Sequence, residues 1–258
     1  MPNTPVNRKL FLLLLAGAVM GLVAIIPYSL ALRGDAVSEA IQQSDMPLWL
    51  ILGTQLLSQA IVFGVAIWVG LGFAASVGLG LPLLEARLRG QDVRDRLRSI
   101  VPISILLGAV LAVVIMGLDR FVFQPSLPGT QALPDAPAAW KGFLASFYGA
   151  INEEILLRLC VMSFLVWLGR FISRTVDNQP GLPALWVANV LTALLFGLGH
   201  LPATAALAPL TPLMVARALV LNGLIGVGFG YLYFKNGLES AMISHFSADI
   251  VLHVLFRI

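Results

Sequence analysis

Charged residues are scarce in this chain of 258 residues. Asp, Glu, Lys and Arg make up 11% of it, whereas 59% is hydrophobic; a soluble globular domain is about 25% charged. This shortage excludes an ordinary soluble domain and predicts an all-α fold, a multi-pass transmembrane helical bundle. The net charge is only +3, and no basic stretch is interleaved with aromatic residues, so nucleic acid is excluded as a partner.

Cysteine and histidine are also rare. Cys160 is the only cysteine, so no intrachain disulfide can form, and its place in an apolar run predicts an inert thiol. Three histidines are too few for the histidine-rich di-iron box of membrane desaturases. The chain also lacks three motifs of intramembrane proteases: HExxH of the site-2-type zinc enzymes, GxSG of the rhomboid serine enzymes and GxGD of the presenilin-type aspartyl enzymes. These three classes therefore fit the sequence poorly.

Long apolar runs are what the chain has in abundance. A membrane span needs about 20 apolar residues, and such runs predict seven spans. The first run follows Arg8 and Lys9 and exceeds the h-region of a signal peptide, so we expect a retained span. The glycine-rich segment 72–84 is expected to extend the second span or to form an interfacial or re-entrant piece. The predicted spans are 10–32, 48–71, 100–123, 140–168, 183–201, 212–234 and 239–257.

Basic residues set the orientation, because cytoplasmic loops are enriched in Lys and Arg. Basic residues precede the first span, five arginines lie in 85–98, and others follow the fourth and sixth spans, whereas the segment 33–45 is mainly acidic. This pattern predicts a cytoplasmic N-terminus, in a membrane of the bacterial cytoplasmic type. A separate crossing by 72–84 would turn the arginines outward, so seven spans are favoured. The basic residues are Arg8, Lys9, Arg87, Arg89, Arg94, Arg96, Arg98, Arg170, Arg174 and Lys235.

The late spans carry nearly all the intramembrane polar residues. We therefore divide the single membrane domain, 1–258, into less specific N-terminal helices, 1–123, and a catalytic helical core, 140–257. The proline-rich stretch 124–139 between them is expected to be an external connection.

Two adjacent carboxylates lie in the middle of the fourth span. A charge near the bilayer centre costs about 2.5–3.5 kcal/mol on insertion scales, which makes such residues candidates for function. Glu154 and Arg158 are four residues apart, a spacing that favours a supporting ion pair. Glu153 is turned about 100° away on an α-helix and has no cation nearby in sequence. Glu153 is therefore the stronger candidate for chemistry.

Histidines on two later spans complete the pattern. His200 follows two glycines that permit a close approach, and His245 shares a helix face with Asp249. His253 continues that face, but its place near the chain end predicts a structural role at the interface. A carboxylate beside a neutral histidine can take a proton from water, and a second histidine can stabilise the oxyanion. The parts for acyl hydrolysis without a covalent nucleophile are present.

Three motifs in order resemble the CPBP family, which groups type II CAAX prenyl proteases with bacteriocin-processing enzymes and is also called the Abi family. The family's pattern is EExxxR, then FxxxH, then HxxxN or HxxxD, on successive late helices. The resemblance covers about residues 140–252. The residues that match the motifs are Glu153, Glu154, Arg158, Phe196, His200, His245 and Asp249.

The resemblance implies an intramembrane endopeptidase that acts on a membrane-associated protein or peptide, with membrane lipid around it. Glu153 then activates water together with His200, while His245 and Asp249 stabilise the oxyanion. Asp249 stands where the prenyl-protease branch has asparagine, so it is either protonated or orients His245, because an ionised carboxylate cannot donate. No cofactor is favoured; the alternative is Zn²⁺ held by Glu153, His200 and His245.

Two other classes of function remain open from the residues alone. The same acids and histidines could form the proton relay of a coupled transporter. The chain could also be a non-catalytic membrane scaffold or a bacteriocin-immunity protein. The use of prenylated substrates and the oligomeric state are both left open.

Overall fold

The computed structural model describes residues 7–32, 46–127, 136–173, 175 and 179–257. Within these ranges the chain is helical, which confirms the predicted all-α class. The helices are α1 Arg8–Ala24, α2 Leu48–Ser76, α3 Pro82–Leu88, α4 Arg94–Leu118, α5 over 139–169, α6 Leu182–Gly199, α7 Leu201–Ala205, α8 Pro212–Asn236 and α9 Leu238–Asp249.

Five of the described helical segments are long and apolar enough to cross a membrane. They are Arg8–Leu32, Leu48–Ser76, Arg94–Ser126, Leu182–Ala205 and Pro212–Asn236. The two remaining predicted spans correspond to α5 and α9, which carry most of the candidate site. Large apolar side chains such as Trp49, Trp68 and Phe121 are exposed, as lipid contact requires. The protein is an integral membrane protein.

Three helices change from α-helical to wider π-helical turns. The centre of α5 is π-helical over Tyr148–Glu153 and Ile155–Met162, and α4 and α9 continue as the π-helical segments Asp119–Phe123 and Ile250–Leu255. Such turns are rare and are frequently found at functional sites. In α5 they coincide with the paired carboxylates.

The segment 72–84 extends α2 and does not cross the membrane separately. Residues 72–76 complete α2, a turn follows, and α3 begins at Pro82. Gly80 accepts a hydrogen bond from the Leu238 amide at 3.0 Å, and the Glu239 carboxylate accepts one from the Leu84 amide at 2.8 Å. These bonds fasten the turn to the start of α9. The acidic segment 33–45, Arg174 and much of the proline-rich connection lie outside the described residues.

Close helix contacts bring the late helices around one centre. α8 packs against α6 and α9, α9 packs against α4, and the second half of α5 packs against α2. A Cβ atom at Gly108 of α4 would overlap the Ser244 backbone of α9, so glycine permits this approach. The Asn152 side chain donates to the Ala18 carbonyl at 3.0 Å, which joins α1 to the π-helical part of α5.

An ion pair joins α8 to the π-helical segment that continues α4. The Arg217 guanidinium donates to both oxygens of Asp119, at 2.6 and 2.8 Å, and Gln124 donates to the same carboxylate at 3.1 Å. Asp119 is buried, so it needs such partners. The two charged residues are 98 positions apart, and nothing in the local sequence pairs them.

Candidate active site

The predicted site residues from three helices line one cavity of about 570 Å³. Glu153 comes from α5, His200 from the end of α6, and His245 and Asp249 from α9. Side chains of α8 and of the segment that follows α1 complete the walls, among them Ile25, Tyr28, Asn222 and Phe229. The size and the mainly apolar lining with a few polar groups are typical of a binding site.

The His245 ring is fixed on three sides. Its Nδ1 lies 2.7 Å from Glu154 Oε1, and because a carboxylate only accepts, Nδ1–H donates. The ring stacks on Phe229 at 4.5 Å between centroids with an interplanar angle of 22°. Its Nε2 lies 3.7 Å from Glu153 Oε2 and 3.7 Å from Asp249 Oδ1. The free end of the imidazole therefore faces the gap between two carboxylates.

Glu154 and Arg158 form the predicted ion pair, and both are fully buried. Arg158 Nη1 donates to Glu154 Oε1 at 2.9 Å, and Nη2 donates to the Gly226 carbonyl at 2.9 Å. The guanidinium also lies over the rings of Phe196 and Phe229, at 5.1 and 5.5 Å from their centroids. Buried charges require such compensation. The additional bond from Glu154 to His245 was not predicted from the sequence, where Asp249 was the expected neighbour.

The two glutamates approach the same imidazole from opposite ends. Glu154 contacts Nδ1 of His245, whereas Glu153 lies near Nε2. The Glu153 side chain is 24% exposed, against 0% for Glu154, so only Glu153 can meet a substrate in the cavity. The prediction of different roles thus has a geometric basis, and the π-helical turns of α5 place the two residues.

His200 has one nitrogen engaged and one available. Its Nδ1 lies 2.8 Å from the Phe196 carbonyl; because a carbonyl only accepts, Nδ1 carries the proton, and neutral His200 has Nε2 as an acceptor. Phe196, the first residue of the FxxxH motif, contacts the His200 ring edge-on at 4.7 Å. Of the two preceding glycines, Gly197 packs against Leu219 of α8 and Gly199 has open space beside it.

Asp249 lies between two histidines. Its Oδ1 is 3.7 Å from His245 Nε2 and 4.0 Å from His253 Nε2. His253 also lines the cavity, a contact that the sequence did not predict. A Cβ atom at Gly149 would overlap Asp249 Oδ2 and reach His245 Nε2 to 3.0 Å. The absence of a side chain at Gly149 therefore leaves space for Asp249 and His245. Nothing in the sequence indicated a role for Gly149 or Phe229.

The alternative zinc ligands Glu153, His200 and His245 all line the cavity. Among the described residues, no three His, Cys, Asp or Glu side chains are grouped so that they could hold a metal ion. In the alternative set of Glu153, His200 and His245, the Nε2 of His245 lies 3.7 Å from the nearest Glu153 oxygen.

Comparison with known protein families supports the resemblance inferred from the motifs. Residues 135–251 match the family model described as type II CAAX prenyl endopeptidase, Rce1-like. The match includes all three motifs and leaves out the helices before the proline-rich connection. Searches of the curated proteins and of the solved structures found no match to the chain.

Proposed function

Because residues 135–251 match the Rce1-like family of type II CAAX prenyl endopeptidases, we propose that this protein is an intramembrane endopeptidase. It hydrolyses a peptide bond in a membrane-associated protein or peptide. The observation that carries the proposal is the shared cavity, where Glu153, His200, His245 and Asp249 face one space. Glu154 and Arg158 support this space from a buried position behind it.

Water activation falls to Glu153 and His200. Both line the cavity, and both offer acceptors: a carboxylate oxygen and, on neutral His200, the Nε2 atom. A water that donates to both is oriented and polarised, and Glu153 takes its proton as the water oxygen attacks the carbonyl carbon. The C–N bond then breaks while the protonated Glu153 returns the proton to the leaving amine. Each turnover therefore consumes one water and regenerates the carboxylate.

The oxyanion is stabilised by His245. Its Nδ1–H is held by Glu154, so its Nε2 offers a hydrogen only when the ring is an imidazolium. The carboxylates of Glu153, Glu154 and Asp249 lie within 4 Å of this ring and balance such a charge. An N–H fixed in advance where negative charge develops lowers the barrier without reorganisation. Asp249 acts beside it, keeping Nε2–H directed at the cavity.

The experiment that tests the proposal compares membranes carrying the wild-type protein with membranes carrying Glu153→Gln, by proteomic mapping of new N-termini. We expect at least one fragment that Glu153→Gln membranes lack and that Asp95→Asn membranes retain. Asp95 is a fully exposed carboxylate paired with exposed Arg98 at 3.9 Å, which makes it a matched control. Identical fragments in all three membranes, together with proton-driven solute flux in liposomes, would favour the transporter.

Metal dependence is tested on the purified protein. We expect chelator treatment to leave peptide cleavage unchanged, because the proposed mechanism uses only side chains and water. Zinc analysis of the active preparation provides the complementary measurement. Stoichiometric zinc whose removal abolishes cleavage would contradict the mechanism and favour the metal alternative.

A further inference from the structure

His253 is the one histidine to which the sequence and the proposed mechanism assign no chemical role. It lies eight residues beyond His245, and Asp249 lies midway between them on the same helix. One oxygen of Asp249, Oδ1, approaches the Nε2 atoms of both rings, at 3.7 Å from His245 and 4.0 Å from His253. All three side chains line the cavity. The carboxylate is thus placed between two imidazoles.

The position of His253 is set by two other helices. The Tyr28 ring of the α1 segment packs against the His253 ring, with centroids 5.8 Å apart and an interplanar angle of 60°. A Cβ atom at Gly142 of α5 would overlap the His253 carbonyl, so glycine allows α5 to lie directly against this turn. The turn itself belongs to the π-helical segment Ile250–Leu255. His253 is therefore held in place, and its ring is not a loose terminal group.

Asp249 needs a partner of this kind. It is buried, and it shares the His245 ring with two other carboxylates, those of Glu153 and Glu154. Arg158 is already engaged by Glu154 and the Gly226 carbonyl. A third carboxylate close to these two is stable only if a donor or a positive charge faces it. His253, in the π-helical segment that continues α9, supplies such a group 4.0 Å from Asp249 Oδ1.

We propose that His253 is a positioning residue: it holds the Asp249 carboxylate, and through it the direction of His245 Nε2 toward the cavity. This inference rests on the proposed function, because the quantity it explains is the rate of peptide hydrolysis. An amide in place of the carboxylate is neutral and can donate by itself, so it does not require His253. The contribution of His253 is therefore coupled to the charge of Asp249.

A double-mutant cycle tests this coupling with the purified full-length protein in liposomes and a cleaved peptide. In the wild-type background, His253→Gln is expected to lower kcat about tenfold with little change in KM. A loss of this size is in the range measured for the coupling of side chains in contact. In the Asp249→Asn background, the same change is expected to lower kcat less than twofold. An equal loss of kcat in both backgrounds, or no loss in either, would overturn the inference.

A second readout does not depend on activity. The chain has only three histidines, so selective ¹⁵N labelling of histidine gives a spectrum of three imidazoles. Asp249→Asn is expected to shift the ring nitrogen resonances of His253 as well as those of His245. Ser247→Ala is the control: its hydroxyl bonds to the Ile243 carbonyl on the same helix at 2.7 Å, and it does not line the cavity. Unchanged His253 resonances in Asp249→Asn would refute the contact even if that variant is inactive.

The two proposals can fail separately. If Glu153→Gln cleaves at the wild-type rate, the proposed function fails. If Glu153→Gln is inactive while His253→Gln keeps the wild-type kcat, the function stands and the role of His253 is refuted.

Discussion

Glu154 is buried away from the cavity. It contacts the His245 imidazole, which faces the cavity, and the Arg158 guanidinium, which neutralises the Glu154 carboxylate. The contribution of Glu154 to the stability of the fold can be measured separately from its contribution to the rate of cleavage. Arg158→Leu removes the cation that pairs with the buried Glu154 carboxylate and is expected to destabilise the fold by about 3–5 kcal/mol. Glu154→Leu/Arg158→Leu removes both charges and is expected to regain most of that stability, but not activity, because His245 loses its partner.

Thermal unfolding in detergent and kcat, measured on the same preparations, check this expectation. Arg89→Leu is the control, since its pair with Glu85 is 3.6 Å long and well exposed and contributes little. A double variant that cleaves at the wild-type rate would show that Glu154 does not orient His245.

Sequence spacing was sufficient to predict the Glu154–Arg158 pair, because residues four apart share a helix face. It could not predict the bond between Glu154 and His245, which joins residues 91 positions apart. It also could not predict that His253 lines the cavity beside Tyr28, because its place in the sequence says nothing about which helices pack beside it. Long-range contacts of this kind require the packed structure.

At the scale of the helix, the π-helical turns of α5 set where the carboxylates and Gly149 lie. Gly149→Ala adds one methyl group that would overlap Asp249 and approach His245. We expect kcat to fall at least about tenfold, because small displacements of positioned groups lower the rate strongly. Gly53→Ala on α2, where no atom lies within 4 Å of the added group, is expected to leave cleavage unchanged. Equal cleavage rates of Gly149→Ala and Gly53→Ala would contradict the expected overlap of the added methyl group with Asp249 and His245.

Hydropathy located the long helices well, because a span must satisfy its backbone within itself and therefore needs a continuous apolar run. The change to π-helical turns in α5 left no trace in the pattern, since the same apolar residues suit both helix types. In the glycine run of α8, Gly226 and Gly230 pack against Ala193 and Asn189 of α6. The Gly226 carbonyl also accepts a hydrogen bond from Arg158, a role that the sequence did not reveal.

At the scale of the whole molecule, the predicted orientation places the arginine-rich segment 85–98 on the cytoplasmic side. It is tested by single cysteines in a Cys160→Ser background, which has no other thiol. Exposed Gln91 and Ser126 lie at opposite ends of the span Arg94–Ser126. In intact cells, a membrane-impermeant maleimide is expected to label Ser126→Cys and to label Gln91→Cys only after permeabilisation. The reverse pattern would invert the topology.

The most direct test of the central claim is the cleavage rate of purified protein in liposomes at saturating peptide. We expect Glu153→Gln to lower kcat about 100- to 10,000-fold, the range for loss of a general base. The unfolding temperature of Glu153→Gln and the cleavage rate of the Asp95→Asn control are expected to stay at wild-type values. A folded Glu153→Gln protein that cleaves as fast as the wild type would contradict the account.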